Sequence, residues 1–396
     1  MKKLLMIGAG FLQDFVIRKA VSMGYEVHAL DANPHAVGFL HAQKHAVIDI
    51  VNEKACLEYA REQKVDGVMT AATDFGVMTA AFIAGKMGLK GISYDTAKTV
   101  KNKYLTRRAL MEAHVDDTAQ AWEVTRETDT ASLAKRLEYP VMVKPCDGSG
   151  SRGAGRVDTP GEFEAACERA LLSSRSCRAL VESFITGKEY GAESLVTDGQ
   201  VHVLAVMKKW MTPAPFYAEL GHAVPSMLPT ETENKVRKCV EAAIRALKID
   251  FGSVNMDMLI TDDGKVYIID IGARMGGNMI GPCVVPYGTG IDYMGAAIRA
   301  VMGESADLTP RDHGAVATRL LAFEEGTVLK VPDMARIEKE CGVEIYHHLQ
   351  AGEHVRKYRT NLDGCGYIVA RAAFAADAAA AADEAYRRIA KEAFEA

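Results

Sequence analysis

Four short apolar runs, at 4–7, 27–30, 46–50 and 66–70, alternate with helical patterns across the first 95 residues. In the first helical pattern Leu12, Phe15, Val16, Ala20 and Met23 recur at spacings of three and four, which makes one buried stripe. Such alternation predicts an α/β fold with a parallel sheet and helices on its faces. The turn after the first run, "IGAGFLQD", bears on what the fold binds. A dinucleotide fingerprint needs three glycines, for a tight turn, for close approach of a pyrophosphate and for helix-on-strand packing. Gly8 and Gly10 fill the first two places, but Gln13 stands in the third, where a long amide crowds the helix start. Asp31, ending the next strand, stands about where a ribose-binding acid would. An NAD-dependent oxidoreductase is thus an alternative that Gln13 argues against, and a plain strand-turn-helix with small residues at its turn is the simpler reading.

From about residue 96 the texture changes. A helix over 95–114 carries Lys103, and a strand "AWEVT", a helix at 130–137 and the strand "YPVMVKP" follow. "TPGEF" is a strong helix start, with Thr159 as cap, Pro160 in the first turn and Glu162 completing a capping box. A hairpin turning at Asp198-Gly199, an amphipathic helix with Val236, Val240, Ile244 and Leu247 on one stripe, and a second hairpin come next. The last 90 residues mix short strands with an alanine-rich helix, either exposed or packing. With 396 residues, two or three domains have room for cores. A net charge of −5 recommends no nucleic-acid partner. Eight cysteines without a C-x-x-C pair argue against zinc or a disulfide framework and for a reducing compartment. No stretch approaches the roughly 20 apolar residues that span a bilayer, and the opening run is broken by glycines. A cytoplasmic protein, away from membranes, is expected.

The second hairpin, "SVNMDMLITDDGKVYIIDIGAR", raises a chemical demand. If Asp263-Gly264 is a two-residue loop, Asp262 pairs with Lys265 and paired positions sum to 527, so Asp257 faces Asp270 and Asn255 faces Gly272. Alternation turns both acids away from Met256, Met258, Ile269 and Ile271, whose side chains are expected on the core. Two opposed carboxylates destabilise a strand pair unless a cation sits between them, and magnesium is held by carboxylates together with phosphate oxygens. The simpler alternative is a solvated strand face. Against it stands Arg274, four residues after Asp270 in a glycine-rich loop that could present a guanidinium to phosphate.

"VKPCDGSGSRG" places Lys144 at a strand end before a loop with Gly148, Ser149, Gly150 and Ser151. Such a loop offers backbone N–H donors to phosphate. It is neither a Walker motif nor accompanied by the partner motifs of a kinase, and alone it is a surface turn.

The order Lys103, "VMVKP", the Gly/Ser loop, "VESFITGKEYGAES", Asp257 and "DIGAR" resembles the ATP-grasp superfamily across roughly residues 1–390. Biotin carboxylase, carbamoyl-phosphate synthetase large chains, D-alanine-D-alanine ligase and L-amino acid ligases are members. The resemblance implies a Rossmann-like pre-ATP-grasp domain over 1–95 that generally binds no dinucleotide. It further implies an ATP-grasp domain over 96–305, with a lid at about 118–185, and a C-terminal α+β subdomain over 306–396. Carried onto this chain, it sets Lys103 and Lys144 on ATP phosphates, with the Gly148–Ser151 loop over them. Glu182, Ser183, Phe184 and Ile185 would line the adenine, Glu182 taking the exocyclic amine and the backbone near Phe184 and Ile185 reading the ring edge. Glu189 would bind the ribose, Asp257 and Asp270 would ligate Mg2+ (or Mn2+), and Arg274 would steady the transferred phosphate.

The family's motif Glu-x-Asn-x-Arg reads "DIGAR" here, with Gly272 in the asparagine's place. Asn255, or Asn278 in the next loop, is the candidate for the missing oxygen. Glu219 and His222, three apart in "FYAELGHAVPS", resemble an acid and a histidine in a substrate loop of L-amino acid ligases. They would bind an amino acid's amine and polarise its acyl group, with Trp210, Phe216, Tyr217 and Met275 shaping the side-chain pocket. The implied activity is ATP-dependent joining of a carboxylate to an amine through an acyl phosphate, with small-molecule substrates, amino acids on both sides. The alternatives are a carboxylase-like or purine-pathway ligase using bicarbonate or formate, and a nucleotide-binding protein without catalysis. A homodimer is left open.

Overall fold

The computed structural model describes residues 1–148, 152–214, 216–311 and 313–395. Strands β1 (Lys3–Ile7), β2 (Glu26–Asp31), β3 (Lys44–Val47) and β4 (Gly67–Met69) form a parallel sheet in the order β3-β2-β1-β4. Strand β1 is buried almost throughout, as a central parallel strand covered on both faces must be. The helix Phe11–Ser22 lays Val16, Ile17 and Ala20 onto it. Gly8 and Gly10 shape the turn between them, and Gln13 fills the space beside both. A Cβ on Gly10 would lie 2.9 Å from Gln13 Oε1, and Gln13 Nε2 donates to the Ala71 carbonyl at 2.6 Å. Asp31 accepts the backbone N–H groups of Ala9 and Asn33, both at 2.9 Å, so its carboxylate secures its own loop and the glycine turn.

A second sheet, order β5-β8-β6-β7, is built from β5 (Ala121–Val124), β6 (Val141–Pro145), β7 (Gly155–Val157) and β8 (Ala179–Ser183). The helix Pro160–Ser173 packs Phe163, Ala166, Cys167 and Ala170 against it, and its start carries the capping box of Thr159 and Glu162. The helical pattern at 95–114 resolves into two helices, Tyr94–Lys101 and Lys103–Glu112, broken at Asn102. Asn102 adopts an extended backbone there, and its side chain caps the second helix by accepting from the N–H groups of Tyr104 and Leu105.

The central sheet begins with β9 (Lys188–Thr197), β10 (Gln200–Met211), β11 (Glu219–Val224), β12 (Gly252–Ile260), β13 (Val266–Gly272) and β14 (Ala315–Leu320). After β15 (Gly326–Thr327), β16 (Val343–His347) and β17 (His354–Val355), the chain ends with β18 (Gly366–Ala372) and the helix Ala375–Phe394. The eight-stranded order is β13-β12-β9-β10-β11-β14-β18-β16, so residues past 306 extend the same sheet that carries the two acids. Asp198 and Gly199, both at positive φ, form the two-residue turn of β9 and β10, with Thr197 paired to Gln200. Helix Thr230–Ala246 and the residue after it bury Val236, Val240, Ile244 and Leu247 in one core cluster with this sheet. The alanine-rich helix packs rather than floats, burying Ala378, Ala382, Ala385 and Ile389. Among the described residues, no helix is long and apolar enough to cross a membrane.

Candidate active site

The three sheets surround a cavity of about 1110 Å³. Its floor is the β12–β13 hairpin, where Asp257 pairs directly with Asp270 and Asn255 with Gly272. The expected register thus holds at the acids, but by a different route. Beyond Asp257 the pairing shifts, with Met258 opposite Ile268 and Ile260 opposite Val266, so the pair sums fall to 526. The loop is therefore longer than Asp263-Gly264 alone, and a bulge at Ile269 restores 527. The extra residue also turns Ile269 around. Ile268 is buried in the core, whereas Ile269 lines the cavity, a correction to the strict alternation expected.

Each acid meets a lysine. Lys103 Nζ donates to Asp270 Oδ2 at 2.5 Å, and Lys209 Nζ donates to Asp257 Oδ1 at 2.8 Å. Lys209 is almost wholly buried and also lies 2.5 Å from Glu219 and 3.5 Å from Glu189. Burial alone would push its ammonium down, but Asp257, Glu219 and Glu189 together hold it well above the ordinary lysine value. The acids are less fully compensated. Burial raises Glu189 to about 7 against the pull of Lys209, with Asp257 and Glu219 adding repulsion. Burial likewise raises Asp257. No signal marked Lys209 except a lysine pair within the apolar strand "VLAVMKKW".

Glu219 and His222 lie on β11 rather than in a loop. Leu220 is an extra residue between Glu219, paired with Met211, and Gly221, paired with Trp210. This irregularity lets two residues three apart meet the same lysine, for His222 pairs directly with Lys209. Glu219 lines the cavity, held by Lys209, Asn278 and Asn361, and lies at about 2: burial opposes its charge, and Lys209, His222 and Asn361 together more than offset that. His222 does not line the cavity. It is 1% exposed, and burial lowers its imidazole to about 4. Met275 is also buried in the core, whereas Trp210, Phe216 and Tyr217 line the cavity.

At the opposite wall Lys144 Nζ lies 2.6 Å from Glu182 Oε1, and Arg107 Nε donates to Glu182 Oε2 at 2.8 Å. Gly148, Ser183, Phe184, Ile185 and Glu189 line the same cavity. The Phe184 N–H donates to the Pro140 carbonyl, so that donor is already engaged and cannot read a ring edge. Ser149, Gly150 and Ser151 lie outside the described residues. Arg107 was not foreseen, although it stands four positions after Lys103 and so shares its helix face.

Arg274 is gripped on two sides. Its Nε lies 2.9 Å from Asp74 Oδ1, and Nη1 donates to Asn255 Oδ1 at 3.2 Å. Both ends of the Asn255 amide are thereby engaged, since Nδ2 donates to Glu193 Oε2 at 3.0 Å. Asn278 is likewise committed, donating to Glu219 and accepting from Tyr367. Asp74 follows β4, at the carboxyl end of a parallel sheet where such folds place ligand groups, and that position was its only available signal.

Residues 137–282 match the ATP-grasp domain family, and residues 319–392 match the L-amino acid ligase C-terminal domain 2. A D-alanine–D-alanine ligase of Geotalea uraniireducens is 30% identical over 49% of this chain and 64% of its own. An uncharacterized Sinorhizobium fredii protein is 26% identical over 86% of this chain and 72% of its own. The chain spans only 23% of a Thermotoga neapolitana carbamoyl phosphate synthase large chain. In fold, an L-amino acid ligase from Bacillus licheniformis superposes with a TM-score of 0.84 at 24% identity over 97% of both chains. A phosphoribosylglycinamide synthetase from Anaerococcus prevotii gives 0.78 at 23% identity over 98% of both. The chain thus carries an ATP-grasp domain within residues 137–282, followed at 319–392 by a segment that matches the C-terminal domain of L-amino acid ligases.

Proposed function

We propose that this ligase activates the carboxylate of an amino acid as an acyl phosphate and joins it to an amine, giving a dipeptide or amino acid amide, ADP and phosphate. The observation that carries the reading is the floor of the cavity. Asp257 and Asp270 oppose each other there beside Lys103, Lys209 and Arg274. Four carboxylates, of Glu189, Glu219, Asp257 and Asp270, share that floor with two lysines. Such a surplus of hard oxygen donors fits a divalent cation. Among the described residues no three His, Cys, Asp or Glu side chains are grouped to hold a metal alone. Mg2+ takes one or two carboxylates and completes its shell with phosphate oxygens and water, and Asp257 and Asp270 would hold it. ATP and Mg2+ are accordingly the cofactors, Mn2+ being an alternative ion, and Mg2+ supplies charge neutralisation at the phosphates.

In the first step a carboxylate oxygen bonds to the γ-phosphorus while the bond to ADP breaks. In the second the amine nitrogen bonds to the acyl carbon, phosphate leaves and the nitrogen sheds a proton. The protein's part is positioning and charge stabilisation. Lys103 and Lys144 face the phosphates, Glu182, Ser183, Phe184 and Ile185 the adenine and Glu189 the ribose. Arg274 faces the transferred phosphate. Glu219, with His222 behind it, forms the substrate wall. The match of residues 319–392 to an L-amino acid ligase domain favours an amino acid as the acid component. A biotin carboxylase domain from Hydrogenobacter thermophilus, solved with MgADP and bicarbonate, has a TM-score of 0.78, which keeps a one-carbon acid as second reading. ADP release screened against pairs of amino acids, with mass analysis of products, decides. Stimulation by amino acids with a new amide supports the proposal, and stimulation only by bicarbonate or formate overturns it.

A further inference from the structure

The glycine at 272 has a reason of its own. A Cβ built there would lie 2.9 Å from Arg274 Cζ and 3.0 Å from Asp74 Oδ1. The first distance is one that real Cβ atoms essentially never show, so a side chain at 272 would displace the Arg274 guanidinium from its present seat beside Asp74. The pair closes a chain of contacts. Glu193, buried beneath the site, accepts from the Tyr293 hydroxyl at 2.6 Å, the Gly276 N–H at 2.9 Å and Asn255 at 3.0 Å. Asn255 then presents its oxygen to one edge of the Arg274 guanidinium, while Asp74 Oδ1 stands 2.9 Å from Nε as its ion-pair partner. The Asp74 loop is tied to the Arg274 loop by the main chain too, since the Ala72 N–H donates to the Met275 carbonyl at 3.0 Å. One grip on Arg274 therefore comes from the central sheet and the other from the N-terminal domain.

We infer that Asp74 is the positioning residue for Arg274, and that glycine at 272 is what makes room for it. The inference rests on the phosphate role given to Arg274 above. A guanidinium fixed before nucleotide arrives needs no reorganisation as charge builds on the transferred phosphate. In this chain the space of the missing asparagine is used to orient the arginine, and Asn255 belongs to that same clamp.

The test uses the full chain with Asp74→Asn, Gly272→Asn and the double variant. We expect each single change to lower kcat for amino-acid-dependent ADP formation by about 10- to 100-fold while KM for ATP moves less than about 3-fold. Because both changes break one pair, the double variant should be no worse than the poorer single, and Asp74→Glu should restore part of the rate. The second readout needs no turnover. In arginine-labelled protein without nucleotide, the Arg274 Nε–H resonance, assigned with Arg274→Lys, should shift and exchange faster in both single variants. Wild-type kcat in Asp74→Asn, multiplicative losses in the double variant, or an unmoved resonance would each overturn the inference. If the wild type forms no ADP with any substrate pair, the ligase reading has failed, and the resonance still decides whether Asp74 and Gly272 fix Arg274. Should Asp74→Asn not fold, Asp74→Glu and Gly272→Ala carry the same comparison.

Discussion

Lys209 holds the acidic wall together, because one buried ammonium neutralises parts of three carboxylates. Lys209→Met leaves those acids buried without their partner, which costs about 3–5 kcal/mol near pH 8. The loss should shrink as pH falls toward 5 and the acids take up protons, and urea unfolding at the two pH values measures it. Removing an acid has a mixed character. Asp257→Ala and Asp270→Ala each give up an ion pair with a buried lysine and relieve the repulsion between the facing acids, so each should lower the melting temperature less than Lys209→Met does, while magnesium-dependent ADP formation disappears. Activity persisting in either would sink the metal role. His222 gives a pH signature. Its folded value of about 4 lies below the ordinary 6.5, so its contribution to stability is complete above 6.5 and is lost as pH falls through about 4. The stability gap between wild type and His222→Asn should narrow by up to about 3 kcal/mol between pH 7 and pH 4. The two acids were legible as carboxylates in apolar strands on either side of a turn signal. Lys209 was not, since its burial depends on three acids from separate strands.

Elements carry their own errors and their own tests. Asp263-Gly264 fits a two-residue turn, but glycine at positive φ also closes longer loops, and Gly264 stands at φ +78°. Composition does not separate the two, and the bulge at Ile269 has no local signature. The acid pairing came out as expected because loop length and bulge offset one another. A helix break at Asn102 was equally hidden, for asparagine within a periodic stretch reads as a tolerable helix residue. Its consequence is functional. The cap sets where the helix bearing Lys103 begins, and the Lys103 N–H donates to the Cys146 carbonyl just past β6. Asn102→Ala should destabilise the chain by about 1 kcal/mol and raise KM for ATP more than it lowers kcat. Thermal melts and steady-state kinetics read the two effects separately, and an unchanged KM would detach the cap from nucleotide binding.

At the scale of the molecule, the cavity is where remote segments meet. Asp74 comes from the loop after β4, Arg107 from the helix Lys103–Glu112, and Asn361, which donates to Glu219 at 3.1 Å, from the turn between β17 and β18. The alternation of runs and the ordered motifs made the sheets legible. These convergences were not, because no periodicity relates residues more than a hundred positions apart. Arg107 shows what such a meeting does. It donates to Glu182 at the end of β8 and to Asp116 at 2.8 Å each, to Thr118 at 3.0 Å, and to the Ile268 carbonyl. Asp116 in turn accepts from the Ile268 N–H at 3.0 Å. One buried guanidinium thus fastens the end of β8, the segment at 116–118 that leads into β5, and the bulged strand β13. Arg107→Leu keeps the volume and strands two acids, so it should cost about 3–5 kcal/mol, with Lys144 leaving Glu182 the less exposed of the pair to that loss. Because the fastening joins two sheets, the damage should concentrate in the smaller one: backbone amides of β5, β6 and β8 should exchange faster while those of β9 and β10 keep their protection. Uniform loss across both sheets would mean that Arg107 serves only global stability, and unchanged exchange in β5, β6 and β8 would mean that their sheet is held by something else.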